Sequence, residues 1–301
     1  ASDEDLAGFK ESILSYASTS SMAMKDITEA ISAAVGSGVK WSDSLALIAT
    51  AEKLAVATRA DLKSTTEVLV STMNAYGIQT QDAGKVSDLF FQIIADGKIE
   101  MGDLSQSLAN ITPISAAAGV SLEEVGAAIA VLTAGGMQPS TAIDALKSSI
   151  SNIIKPSSEA AKLAAELGIE FNAAALKSKG LAGVLDDVAR ATGGNTDKMA
   201  LLFGDVTGLA AVLSLTGPQA EAFAKSIESM GDSAGAVDAA FQKMTDSVDE
   251  STAKITSAMT ALLIRIGAPL LDEFGGITKA IAAIFNALGA SVKEGELGGL
   301  V

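Results

Sequence analysis

Cysteine and histidine are both absent from this chain of 301 residues. Without cysteine there can be no disulfide, no zinc thiolate and no thiol nucleophile. Without histidine the chain lacks the commonest general base and the commonest metal ligand. The composition therefore argues against an enzyme, and we predict no catalytic residue, no metal ligand and no bound cofactor.

Aromatic residues are also scarce, at 4% of the chain, although 49% of the residues are hydrophobic. The apolar content is mostly alanine, leucine, isoleucine and valine, which suits the close packing of helix on helix. The length is sufficient for one large domain or two ordinary ones. We therefore expect a mainly α-helical protein.

Basic residues are few, with a formal net charge of −15 and arginine only at Arg59, Arg190 and Arg265. Both halves of the chain are acidic, so no basic patch stands out. An acidic surface repels phosphate backbones, and specific nucleic-acid binding is therefore disfavoured.

No long stretch reads clearly as a membrane span or a signal peptide. The N-terminal residues ASDEDL are acidic, where a signal peptide needs positive charge. The uncharged run over residues 125–143 has about the length of a membrane span, but Gly135, Gly136 and Pro139 interrupt it. We interpret this run as two helices that meet at a turn.

Residues 101–156 divide into three predicted helical pieces. Leu104, Leu108 and Ile111 recur at helical spacing before Pro113 interrupts the pattern. Ser121 and Glu124 form a capping-box pair that opens the second piece, and Gly135-Gly136 closes it. Pro139 suits the first turn of the third piece, and Pro156 stops it.

Three glycines, each followed by a β-branched residue, mark further joints between helices: Gly77-Ile78, Gly119-Val120 and Gly168-Ile169. A left-handed glycine followed by an apolar residue is typical of a Schellman helix ending. The expected fold is thus a multi-helix bundle of short helical hairpins. Residues 169–171 and 175–179 could add one small β-hairpin.

Residues 234–266 differ from the rest because their apolar residues step by three and four without a proline. This heptad-like pattern predicts one long, coiled-coil-like helix that ends near Gly267. A seam alone fixes neither partner nor copy number, so packing within the chain and self-association both stay open. The candidate oligomer seam consists of Val237, Phe241, Met244, Val248, Ile255, Met259, Leu262 and Ile266.

Adjacent carboxylates occur as Glu123-Glu124, Asp186-Asp187 and Asp249-Glu250. Neighbours in sequence point to different sides of a helix, and no histidine- or aromatic-rich context surrounds them. We interpret these pairs as solvated helix surface. The expected domains are an N-terminal helical pair (1–38), a helical domain (39–233), the long helix (234–268) and an apolar C-terminal helix with a flexible end (269–301).

The order of these elements resembles the conserved domain of phage tail tape measure proteins over roughly residues 40–265. The matching segments are "TEVLVSTMNAYGIQTQDAGKVSDLF", "AAAGVSLEEVGAAIAVLTAGGMQPSTAIDALKSSI", "EAAKLAAELGI", "LAGVLDDVA" and "LLFGDVTGLAAVLSL". The order and spacing of these segments together carry the resemblance.

The resemblance implies a structural virion protein made in the host cytoplasm that helps to set tail length. Such proteins occupy the lumen of the tail tube and leave it ahead of the DNA at infection. The implied partners are tail tube proteins, baseplate or tail-tip proteins and tail assembly chaperones. We expect a homo-oligomer, with three copies favoured by analogy with three-fold tail tips.

The alternative hypothesis is a membrane-active helical module. The apolar stretch over residues 277–288 could contact or enter the host membrane after release and aid genome delivery.

Overall fold

A computed structural model describes residues 3–245 of the chain. This part of the chain forms fifteen α-helices and two 3₁₀ turns, and it contains no strand. The mainly α-helical prediction is thus confirmed. In chain order, α1 to α15 are Asp3–Ala17, Met24–Gly36, Trp41–Thr58, Leu62–Tyr76, Ala83–Gly97, Met101–Ser107, Thr112–Ala118, Leu122–Ala134, Pro139–Ile154, Ser158–Leu167, Ala173–Thr192, Thr196–Phe203, Val206–Thr216, Ala220–Gly231 and Ala236–Thr245.

Local sequence signals explain most of the helix boundaries. Asp61, Ser157 and Asn195 each accept a hydrogen bond from a backbone amide in the first turn of the helix that follows. The predicted joints at Gly77, Gly119 and Gly168 all have left-handed backbones, with φ of 67°, 75° and 69°.

Two helices end on a left-handed residue that is not glycine. Arg59 and Lys98 have φ of 55° and 54° and close α3 and α5. Glycine is the usual residue in this conformation, so the sequence gives no local signal for either helix end.

The compact unit comprises residues 25–248, within which α5 and α8 form one of the closest helix pairs. Small residues permit this approach. A Cβ atom on Gly97 would lie 3.2 Å from the Cα of Ala130, and one on Gly126 would lie 2.7 Å from the Cδ1 of Ile93. α14 covers α8, while α3 and α4 pack beside α5.

The other main helix pair is α9 with α13. Helices α11 and α12 pack against both members of this pair. The core is aliphatic apart from a few phenylalanines, among which Phe171 and Phe203 make an edge-to-face contact with centroids 5.3 Å apart. The largest fully buried side chains include Phe90, Phe203, Ile27, Leu47, Ile48, Leu54, Leu62, Leu69, Ile93, Met101, Leu104 and Leu108.

Two local predictions were wrong. Residues 101–154 contain four α-helices rather than three, because Pro113 occupies the first turn of an additional short helix, α7. The proposed β-hairpin is absent, since residues 175–179 lie within α11. Asn172 accepts a hydrogen bond from the Ala175 amide and so starts a helix where a strand was expected.

The structure describes only part of the long helix predicted over residues 234–266. α15 begins at Ala236 and extends to Thr245, and the rest of that segment lies outside the described residues. The same is true of residues 269–301.

Candidate interaction surface

The described residues contain no cluster of three or more acidic side chains that could hold a metal ion. The adjacent carboxylates are used structurally instead. Asp186 and Asp187 both pair with Arg190 one turn later in α11. The third pair, Asp249-Glu250, lies outside the described part of the chain.

Glu124 joins two helices that are distant in sequence. Its carboxylate accepts a hydrogen bond from the Ser121 amide at 3.3 Å, which completes the predicted capping box of α8. The same carboxylate also accepts one from the Ala182 amide at 3.0 Å. Ala182 follows Gly180, where α11 breaks with φ 72° and ψ 179°. Glu124 therefore completes the N-terminal cap of α8 and also accepts an amide hydrogen bond where α11 continues after its break.

An ionic cluster spans the same break in α11. Lys179 pairs with Asp187 at 2.9 Å and with Glu170, which precedes the helix, at 3.1 Å. Hydrogen bonds from Lys179 to Asp187 and then to Glu170 raise the pKa of Lys179. Because Lys179 is at the surface, this cluster contributes more to local geometry than to stability.

A polar joint fastens α13 to α9. Asp205 caps α13 by accepting from the Gly208 amide at 2.7 Å, and it also accepts from Ser148 at 2.6 Å and from Asn152 at 2.8 Å. Ser149 donates to the carbonyl of Gly208 at 2.9 Å. Burial acts to raise the pKa of Asp205, but these hydrogen bonds outweigh it and the pKa is lowered.

The candidate oligomer seam is only partly within the described chain. Val237 is buried, with 3% of its surface exposed, and it lies on α15, which packs against α3 and α5. Phe241 and Met244 are half-buried. The remaining seam residues, Val248, Ile255, Met259, Leu262 and Ile266, lie outside the described residues, so self-association along the seam stays a prediction.

Two polar residues that the sequence did not single out hold the beginning of α15. Asp88 on α5 accepts hydrogen bonds from the amides of Gly235 and Val237, each at 2.9 Å. Lys53 on α3 pairs with Asp238 at 2.7 Å. These partners are 147 to 185 residues apart in sequence, so no local motif could have revealed them.

A groove of about 650 Å³ lies next to this attachment. Its lining includes Tyr76 from α4, Leu122 from α8 and Met230 from α14, together with Asp88. Burial raises the pKa of the Tyr76 hydroxyl by more than the Ser115 hydroxyl lowers it, and the nearby carboxylates of Glu123 and Glu124 also raise it.

None of the helices within residues 3–245 combines the length and apolar character that crossing a bilayer would need. The run over residues 125–143 is split between α8 and α9, as predicted. The stretch over residues 277–288, which suggested the membrane alternative, lies outside the described residues.

Comparison with known proteins identifies curated relatives among phage proteins. The chain is 24% identical over 295 residues to the tape measure protein of Pneumococcus phage Dp-1, covering 95% of this chain and 26% of that protein. It is also 24% identical over 304 residues to the probable tape measure protein of Clostridium phage phiCD119, covering 97% of this chain and 32% of that protein. The chain thus spans about a quarter to a third of the length of these relatives.

No solved structure matches the fold significantly. The family described as phage-related minor tail protein matches residues 10–208, which is well over half of the chain. The matched region includes both structural joints, the Glu124 link between α8 and α11 and the Asp205 joint between α9 and α13. The chain therefore belongs to the phage-related minor tail protein family.

Proposed function

We propose that this chain is a segment of a tape measure protein that forms a compact domain at one end of the ruler. The observation that carries the proposal is the alignment with two proteins named as tape measures over 95% and 97% of the chain. The family indicates a structural role in the phage tail. The position in the tube lumen near the tip or baseplate is part of the proposal.

Helix lengths support an end domain rather than the extended ruler itself. A single straight helix over residues 25–248 would span roughly 340 Å at about 1.5 Å per residue. The longest described helix, α11, has 20 residues and breaks at Gly180. A chain folded back on itself at so many joints cannot act as an extended length standard, whereas it can present a rigid surface to tail-tip or baseplate proteins.

Several copies fit a ring-symmetric tail tube, and we propose three. The seam from Phe241 onward is the proposed contact between copies, because Val237 is already buried within its own compact unit. In this arrangement the compact unit of residues 25–248 is the end domain. The long helix predicted over residues 234–268 would begin in it and lead toward the extended part of the ruler.

The proposal predicts that purified virions contain this chain and that particles emptied of DNA contain less of it, because a lumen protein must leave before the DNA passes. Quantitative mass spectrometry of virions before and after receptor-triggered ejection measures both quantities. Peptides of the major tail tube protein serve as the control and should not change. Absence of the chain from intact virions would rule out the proposed function, and unchanged abundance after ejection would rule out release from the lumen.

A further inference from the structure

The beginning of α15 is fixed by a carboxylate from another helix. Both oxygens of Asp88 accept backbone amides, Oδ2 from Gly235 and Oδ1 from Val237, each at 2.9 Å. The first amides of a helix have no partner within the helix, and a negative charge there also favours the helix dipole. Asp88 therefore serves as an N-terminal cap supplied from α5, 147 residues away along the chain.

A second polar contact comes from a different direction. Lys53 on α3 reaches Asp238, in the first turn of α15, at 2.7 Å between Nζ and Oδ1. Both side chains are substantially exposed, so this pair adds little stability. Its geometric effect is still useful, because the first turn of α15 is then held from two sides, by Asp88 on α5 and by Lys53 on α3.

Apolar burial is a weaker constraint on α15 than on its neighbours. Val237 is the only fully buried residue of this helix, and Phe241 and Met244 are half-buried. By contrast, its neighbours α3 and α5 bury several large apolar residues each, among them Leu47 and Leu54 in α3 and Phe90 and Ile93 in α5. The turn that precedes α15 contains Gly235 with φ 81°, a backbone conformation that by itself permits several exit directions.

We propose that Asp88, assisted by Lys53, is the positioning residue that sets the direction of α15 on the compact unit. A length standard attached to an end domain has to leave that domain along a defined axis. The functional meaning of the inference rests on the proposed tape measure role, whereas the geometric claim about α15 does not.

The test uses the full chain with two spin labels, one on α15 and one on α4. Since the chain contains no cysteine, Lys243→Cys and Lys63→Cys create the only two labelling sites, both at exposed positions. Asp88→Ala should broaden the distance distribution between the labels or add a second population. It should also speed amide exchange across residues 235–245 about tenfold, because two hydrogen bonds to a charged group are lost. Asp88→Asn keeps one acceptor and should give an intermediate effect.

Asp96→Ala is the matched control. Asp96 lies on the same helix, α5, and is half-buried like Asp88, but its contacts are with Gln92 and with Ser229 of α14. It should leave the label distances and the exchange of residues 235–245 unchanged. The unfolding midpoint of Asp88→Ala should move by no more than about 2 °C, which separates loss of direction from general destabilisation.

Unchanged label distances and exchange in Asp88→Ala would overturn the proposal. So would equal changes in the Asp96→Ala control. The result is independent of the virion experiment, because it concerns the isolated chain in solution. A failed virion test with a positive spin-label result would remove the tape measure role and leave Asp88 as the residue that orients α15.

Discussion

Replacing Gly180 with alanine should lower the free energy of unfolding by about 3 kcal/mol. Gly180 has φ 72° and ψ 179°, a region of backbone space that is nearly exclusive to glycine. A Cβ atom there would also overlap the Oε1 atom of Glu124. The expected loss is measured by urea denaturation of the variant and of the parent chain.

The size of this effect follows from what Glu124 does. If its carboxylate moves away from an added methyl group, it gives up the Ala182 amide and strains the capping box at Ser121. A backbone shift at position 180 would instead misplace the second half of α11, which buries Leu181, Val184, Leu185 and Val188. Either response lowers the free energy of unfolding substantially.

Gly102→Ala is the control for this prediction. Gly102 lies within α6, and a Cβ atom there would meet nothing within 4 Å. Alanine should be neutral or stabilise the chain by roughly 0.5–1 kcal/mol, because it restricts the unfolded state and favours helix. Equal effects of the two substitutions would show that the Glu124 link between α8 and α11 does not matter to stability.

Replacing Asp205 with alanine should lower the free energy of unfolding by about 2 kcal/mol at pH 7. The variant loses the cap of α13 and removes an acceptor shared by Ser148 and Asn152 on α9. Asp205→Asn keeps a capping oxygen but removes the charge, and it should cost about 1 kcal/mol.

The pH dependence of stability distinguishes the contribution of the Asp205 charge from that of its capping oxygen. The pKa of Asp205 is lowered in the folded chain, so its contribution is complete above the unfolded value of about 3.9 and is lost as the pH falls through the folded value. The stability gap between the parent and Asp205→Asn should therefore narrow below about pH 4. Denaturant titrations of both proteins at pH 7 and pH 3 measure this gap, and a gap that stays constant or widens in acid would contradict the assigned hydrogen bonds.

The sequence was informative where structure is local. The Ser121–Glu124 capping box, the left-handed glycines at 77, 119 and 168, and Pro139 at the first turn of α9 each depend on a few neighbouring residues. The interactions that form these caps and turns act within one helix turn. They can therefore be predicted from the neighbouring residues in the sequence. Asp205 could also have been identified in this way, since an aspartate before an apolar helix is a common cap.

The two errors have different causes. Residues 169–179 contain β-branched and aromatic residues that suit a strand, but Phe171 is buried against Phe203 and Asn172 caps α11. Tertiary packing and a cap thus override local strand preference. The helix α7 was missed because Pro113 was interpreted as an interruption, when it lies in the first turn of a new helix.

The long-range contacts could not be predicted from the sequence at all. Nothing near Asp88 indicates Gly235 and Val237, and nothing near Lys53 indicates Asp238. The second role of Glu124, at Ala182, is equally hidden, although its first role at Ser121 is evident. Such contacts depend on which helices the whole chain brings together, and that information is spread over many residues.

The central claim is that this compact unit belongs to the tail but is not the part that measures its length. The most direct test inserts twenty helix-forming residues between Gly194 and Asn195, in the exposed turn between α11 and α12 of the complete phage gene. Tail lengths are then measured by electron microscopy, with the same insertion in an extended helical part of the gene as the control. The account predicts unchanged tails for the insertion at 194 and tails longer by about 30 Å for the control. Tails that lengthen by about 30 Å with the insertion at 194 would show that this unit is part of the ruler and would contradict the account.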